Sequence, residues 1–130
     1  MKIAKSSRGV YERELTEEDV LGQIRQLLEL NGARVFRVIE RIPWGKTKSE
    51  GGIPDLFGWF PEESLKCMEY NNRVNHFFIE VKRPGGNLRP AQAAWIERAQ
   101  QDGVICFKAD SCEEMVREFG KYGIEIRGLS

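Results

Sequence analysis

Residues 76–107 run as an apolar strand, a break, a helix and a second apolar strand. That order constrains the fold more than any other feature of the chain. The first strand is His76-Phe77-Phe78-Ile79-Glu80-Val81-Lys82, and Pro84-Gly85-Gly86 breaks it. Pro90 takes the first helical position of a helix over Ala91 to Asp102, Gly103 caps it, and Val104-Ile105-Cys106-Phe107 is the second strand. Two strands joined through a helix of this length pair in parallel, by a right-handed crossover. The remaining elements are built around that unit. Thr16 and Asp19 make a capping box before Val20, Leu21, Ile24, Leu27 and Leu28, which share one helical face up to Gly32. Ala33 to Ile42, β-branched with interleaved arginines, predicts a strand; Pro43 to Gly52 is a basic loop, and Ile53 to Phe60 a second strand. Pro61 to Asn75 is compatible with a short helix or a long hairpin. Ser111 with Glu114 is a second capping box, opening a last helix to about Phe119 before Ile124-Glu125-Ile126. The expectation is an α/β fold with a mixed central sheet flanked by helices. Its order is helix, three strands, helix, strand, with an appended C-terminal helix, in one domain over residues 1–130 whose first 15 form a flexible basic arm.

A chain of 130 residues, 41% hydrophobic, has material for one core and not for two. The charges near Met1 precede no apolar run, and no stretch reaches the roughly 18 apolar residues of a membrane span. Cys67, Cys106 and Cys112 are odd in number and lack C-x-x-C spacing, which disfavours both a disulfide framework and a zinc site. A reducing cytoplasm, bacterial or that of a phage-infected host, is the expected compartment. The formal net charge is +0, so binding to nucleic acid would require clustered cations rather than bulk basicity. Such a cluster exists: Arg34, Arg37 and Arg41 lie on the predicted strand, Lys46 and Lys48 in the following loop, and Arg83 and Arg89 around the second break.

Residues two apart on a strand face the same side, so Glu80 and Lys82 are presented together while Val81 faces the other way. Asp55 lies on the neighbouring predicted strand, where pairing would bring its side chain within about 5.5 Å of theirs. Two carboxylates about 4 Å apart repel by roughly 4 kcal/mol at an effective dielectric near 20, so the pair needs a cation between its members. Oxygen donors select a hard ion, Mg²⁺ with Mn²⁺ as substitute, over zinc. By itself a Glu-x-Lys triplet reads equally as an exposed pair of little energetic consequence. What tips the balance is the apolar run Phe77-Phe78-Ile79 that Glu80 interrupts.

The motifs Gly52-Ile53-Pro54-Asp55-Leu56, Ile79-Glu80-Val81-Lys82-Arg83-Pro84-Gly85 and Leu88-x-Pro90-x-Gln92 closely resemble those of the VRR-NUC family, the virus-type replication-repair nuclease branch of the PD-(D/E)XK superfamily. The resemblance runs from about Glu17 to Ser111. It implies that Asp55, Glu80 and the Val81 carbonyl hold the metal, that Lys82 orients or activates the attacking water, and that Glu17 on the first helix and Gln92 on the crossover helix complete the site. Glu18 is the alternative first-helix acid. Leu21 stands where a Gln is expected one turn later, and Arg89 replaces the Ser that usually caps the crossover helix. The implied function is metal-dependent, structure-selective cleavage of DNA, on branched substrates such as Holliday junctions, by a homodimer. The alternatives are a flap or nicking nuclease in a larger complex, and an inactive DNA-binding module.

Other signals lead nowhere. Gly45-Lys46-Thr47 looks like the end of a phosphate-binding loop, but Glu40 stands where its first glycine belongs, so no nucleotide cofactor is expected. His76 is the sole histidine, which leaves no Ser-His-Asp arrangement. Trp95, Ile96 and Ala99 are most simply the buried side of the crossover helix, not a stacking platform. Trp44 sits among lysines, where base contact and local packing are equally compatible with its position.

Overall fold

In the computed structural model the described residues are 3–5, 12–39, 52–61 and 76–128. Their elements in chain order are β1 (Ile3–Lys5), β2 (Glu12–Glu14), α1 (Glu17–Leu30), β3 (Arg34–Arg37), β4 (Leu56–Trp59), β5 (His76–Val81), α2 (Pro90–Gln101), β6 (Ile105–Ala109) and α3 (Cys112–Gly120). Strands β3, β4, β5 and β6 form one mixed sheet in that order, antiparallel except for the parallel pair β5 and β6 that α2 connects. This is the α/β architecture expected from the strand, helix, strand order.

Several boundaries differ from expectation. Within the first 15 residues, β1 pairs antiparallel with β2. Strand β3 stops at Arg37 and β4 begins only at Leu56, so both are shorter than their apolar patterns. Strand β6 begins one residue later and runs two further than expected. The box at Thr16 and Asp19 closes in both directions (2.8 and 3.1 Å). At α3 only half a box forms. Ser111 Oγ accepts from Glu114 N, but the Glu114 carboxylate accepts from Asp110 N instead of returning to Ser111.

The register assigns the two faces of the sheet. Val35, Leu56, Phe77, Ile79, Val81, Ile105, Phe107 and Ala109 point to the side covered by α1 and α3 and are buried there. Helix α1 contributes Val20, Ile24 and Leu28, a 3.6-residue stripe with no exposure. Phe119 on α3 meets Phe60, Phe77 and Phe107 edge to face at 5.6, 5.2 and 5.0 Å, an arrangement that suits the quadrupoles of the rings. Gly58 is required in β4, because a Cβ there would lie 2.1 Å from the Arg34 carbonyl oxygen.

The opposite face carries Phe36, Phe57, Phe78, Glu80, Cys106 and Lys108, and α2 packs over part of it through Ile96 and Ala99. Trp95 is only half-buried beside them, so the expected stripe is realised by Ile96 and Ala99 more than by the indole. No helix among the described residues is long and apolar enough to cross a membrane.

Candidate active site

Strands β4 and β5 pair antiparallel with Leu56 opposite Ile79, which sets Asp55 across from Glu80. Asp55 is therefore on a bend one residue before the strand, not within it. Its backbone carbonyl accepts from Val38 N at 2.7 Å and its Oδ2 accepts from Val81 N at 2.9 Å. The carboxylate is thus fixed to the backbone of the next strand. A strand residue turns its N–H and C=O to the same side, so the Val81 carbonyl faces the same edge as Asp55.

Glu80 is 2% exposed and Lys82 8% exposed, and together with Gln92 they are the buried polar side chains among the described residues. Lys82 Nζ stands 3.8 Å from Glu80 Oε2, and Gln92 Nε2 donates to that oxygen at 3.0 Å. The other end of the Gln92 amide accepts from Arg89 N at 2.9 Å. Arg89 has no acceptor on its side chain to return the bond, so Gln92 supplies the N-terminal cap of α2 alone. One amide thereby ties the start of the crossover helix to β5. Pro90 at the first helical position needs no donor there, which eases the entry.

Gly52 packs against the same helix start. Its φ is +64°, and a Cβ on it would come 2.6 Å from the Ala91 carbonyl oxygen. Only glycine fits both demands, and this close approach sets the path of the chain toward Asp55. Beneath the site, burial and then the Glu80 charge push the Cys106 thiol up to about 12, so it is an apolar floor and not a nucleophile.

Glu17 is exposed at the first turn of α1. Of the two first-helix acids it is Glu18 that is tied toward the site, through a bidentate pair with Arg37 (Nη1 to Oε2, 3.1 Å). That bond, with the charges of Glu18 and Asp55, holds the Arg37 pKa above its ordinary value despite some burial. Arg37, one of the clustered cations expected to meet nucleic acid, pairs with Glu18 in the free chain. Arg34, Arg83 and Arg89 are exposed; Arg41, Lys46, Lys48 and Trp44 lie outside the described residues. Asp110 is a residue that no motif or spacing singles out. Its Oδ2 accepts from Gly85 N at 3.1 Å and anchors the turn that follows Lys82; only its position beside the Ser111 cap hints at such a role.

Residues 2–112 match the model of the VRR-NUC domain. The chain belongs to the VRR-NUC family. A solved structure of a VRR_NUC domain protein superposes on 91% of this chain and 98% of its own with a TM-score of 0.55, at 17% identity. At that identity the likeness speaks for the fold, a mixed four-stranded sheet with flanking helices of the PD-(D/E)XK kind. No curated protein matches the chain. Membership of VRR-NUC implies a nuclease-type function.

Among the described residues no three His, Cys, Asp or Glu side chains gather into a ready-made metal cluster. The donor set is oxygen only: the Asp55 and Glu80 carboxylates and the Val81 carbonyl. Mg²⁺ is typically held by one or two carboxylates while it retains water, so the residues present fit a hard divalent ion and do not suit a soft one.

Proposed function

We propose that this VRR-NUC chain is a divalent-metal-dependent endonuclease that hydrolyses phosphodiester bonds in branched DNA, four-way junctions included, and that it works as a homodimer. The observation that carries the reading is the buried Glu80 carboxylate, held by Lys82 and Gln92 in an otherwise apolar strand and facing Asp55 across the strand pair. A carboxyl group is retained in such a place at a desolvation cost that packing alone does not repay.

In this reading Asp55, Glu80 and the Val81 carbonyl hold Mg²⁺, with Mn²⁺ as substitute. The bound ion supplies positive charge to the phosphate and acidifies water, the two demands of phosphodiester hydrolysis. Lys82 adds a fixed charge beside the attacked phosphate. Gln92 keeps Glu80 in one rotamer so that its oxygens are aimed before substrate arrives, which is how preorganised sites lower a barrier. Arg34, Arg83 and Arg89, with Arg41, Lys46 and Lys48, contact phosphates, which gives affinity without reading sequence. Glu17 on α1 completes the site, with Glu18, which pairs with Arg37, as the alternative first-helix acid.

Cleavage of matched linear, flap and four-way DNA with Mg²⁺, Mn²⁺ or EDTA tests the proposal. The expected result is metal-dependent cutting of branched over linear DNA. Cutting that persists in EDTA, or none on any substrate, would overturn it; cutting confined to flaps would replace the junction with a flap as substrate.

A further inference from the structure

Between the second half of α2 and strand β5 lies a cavity of about 240 Å³ lined by Phe78, Trp95, Arg98, Ala99, Asp102 and Val104. Phe78 and Trp95 meet edge to face, with centroids 5.1 Å apart and planes at 62°, so they form two aromatic walls set at an angle. Ala99 is buried at the base, while Arg98 and Asp102 are exposed at the rim. Phe78 also stacks on Phe57 at 5.8 Å, and Phe57 continues to Phe36 at 5.5 Å. The cavity is therefore one end of an aromatic row that crosses β3, β4 and β5.

Its position relative to the site is fixed by the two elements that build it. Phe78 precedes Glu80 by two residues on the same face of β5, about 6.5 Å along the strand. Trp95 follows Gln92 by three residues, about 4.5 Å along α2. The cavity thus begins beside the buried carboxylate and runs away from it along α2, its far lining residues Arg98 and Asp102 lying about 9 and 15 Å beyond Gln92 on the helix.

We propose that this cavity receives a nucleobase left unpaired beside the scissile phosphate of a branched DNA. The proposal rests on the nuclease reading above. Three features favour a base. The volume is below the roughly 300 to 1,000 Å³ of sites for larger ligands, which suits a single planar ring system. Aromatic and apolar walls accept the face of any base. The guanidinium and carboxylate at the rim offer a donor and an acceptor to its polar edge. A base already unpaired enters without the cost of unstacking that a paired base carries, so such a pocket would select branch points over duplex without reading sequence. A second protein copy is the poorer fit, since stable pairing takes about 800 Å² per partner and this recess admits one ring.

Binding in EDTA is measured with a junction or flap carrying one abasic site, moved stepwise through the branch-point nucleotides. For the parent, affinity should fall roughly 5- to 100-fold when the abasic site reaches one position near the cut, the range expected for one lost base–aromatic stack. Trp95→Leu should show that loss on the intact DNA and no further loss on the abasic one. Trp95→Phe should restore most of the affinity, and Arg98→Gln, on the exposed rim, should weaken intact DNA several-fold and abasic DNA little. If the parent cleaves in Mg²⁺ but is indifferent to the abasic site at every position, or if Trp95→Leu, folded by circular dichroism, binds as the parent does, the pocket is not a base site and the nuclease reading stands. A change in mass of Trp95→Leu by light scattering would make the recess a contact between copies, which also overturns the proposal. If the parent neither binds nor cleaves any of these DNAs, the nuclease reading fails and the base site with it.

Discussion

A carboxylate 2% exposed within an apolar strand is expensive unless its charge is met by partners, and Glu80 has two built for it. Lys82 comes from its own strand and Gln92 from α2. The roles of the two partners differ: the lysine supplies charge, the amide supplies direction. Gln92→Leu keeps the volume and removes both bonds of the amide. It should lower turnover about 10- to 100-fold and weaken Mg²⁺ to a similar extent, the range for a lost hydrogen bond to a metal ligand. Steady-state rates across a Mg²⁺ titration would show it, and a variant with the parent's Mg²⁺ dependence would reduce Gln92 to a helix cap. At this scale the sequence was legible where spacing decides the matter. Glu80 and Lys82 share a face because strands have period two, and Gln92 lies in the first turn after Pro90. Helix phase alone does not tell that the first turn of α1 leaves Glu17 exposed while Glu18 pairs with Arg37.

The turn after β5 is held from outside, by the end of β6. Asp110 accepts from Gly85 N; burial works to raise its pKa, but the Gly85 N–H, Glu114, Lys108 and Ser111 together carry it below the ordinary carboxylate value. A depressed native pKa means stability that is present above the unfolded value of about 3.9 and lost as pH falls through the native one. Asp110→Asn should therefore unfold at lower urea than the parent near neutral pH, with the gap closing as the medium is taken toward pH 3. A gap that widens with acid would contradict this role. Elements whose pattern spans many residues were readable: α1 with its reciprocal cap, α2 behind Pro90, and the β5–α2–β6 crossover. Short elements were not. β1 and β2, three residues each, are too brief for alternation to show. The Glu114 side chain bonds the Asp110 backbone instead of its own cap residue, a choice set by tertiary placement and invisible in a four-residue motif.

For the whole molecule, the parallel pair of the sheet followed from the crossover, but the way the sheet's edges are closed did not. The outward carbonyl of Val35 on edge strand β3 accepts from Arg25 Nη2 at 3.3 Å, and that of Cys106 on edge strand β6 accepts from Gln100 Nε2 at 2.7 Å. Side chains occupying edge groups disfavour growth of the sheet from copy to copy, so the proposed homodimer would pair through other surfaces. Light scattering at micromolar concentration should give twice the chain mass of 15.0 kDa and no higher species on concentration; a mass of one chain would reject the homodimer. The central claim is that Asp55, Glu80 and Lys82 form the catalytic centre, and it is tested most directly by single-turnover cleavage of branched DNA at saturating enzyme and Mg²⁺, parent against Lys82→Ala. The rate should fall at least roughly 100-fold, the scale of a lost positioned charge, while DNA and metal binding persist. Cleavage by Lys82→Ala at the parent rate would contradict it.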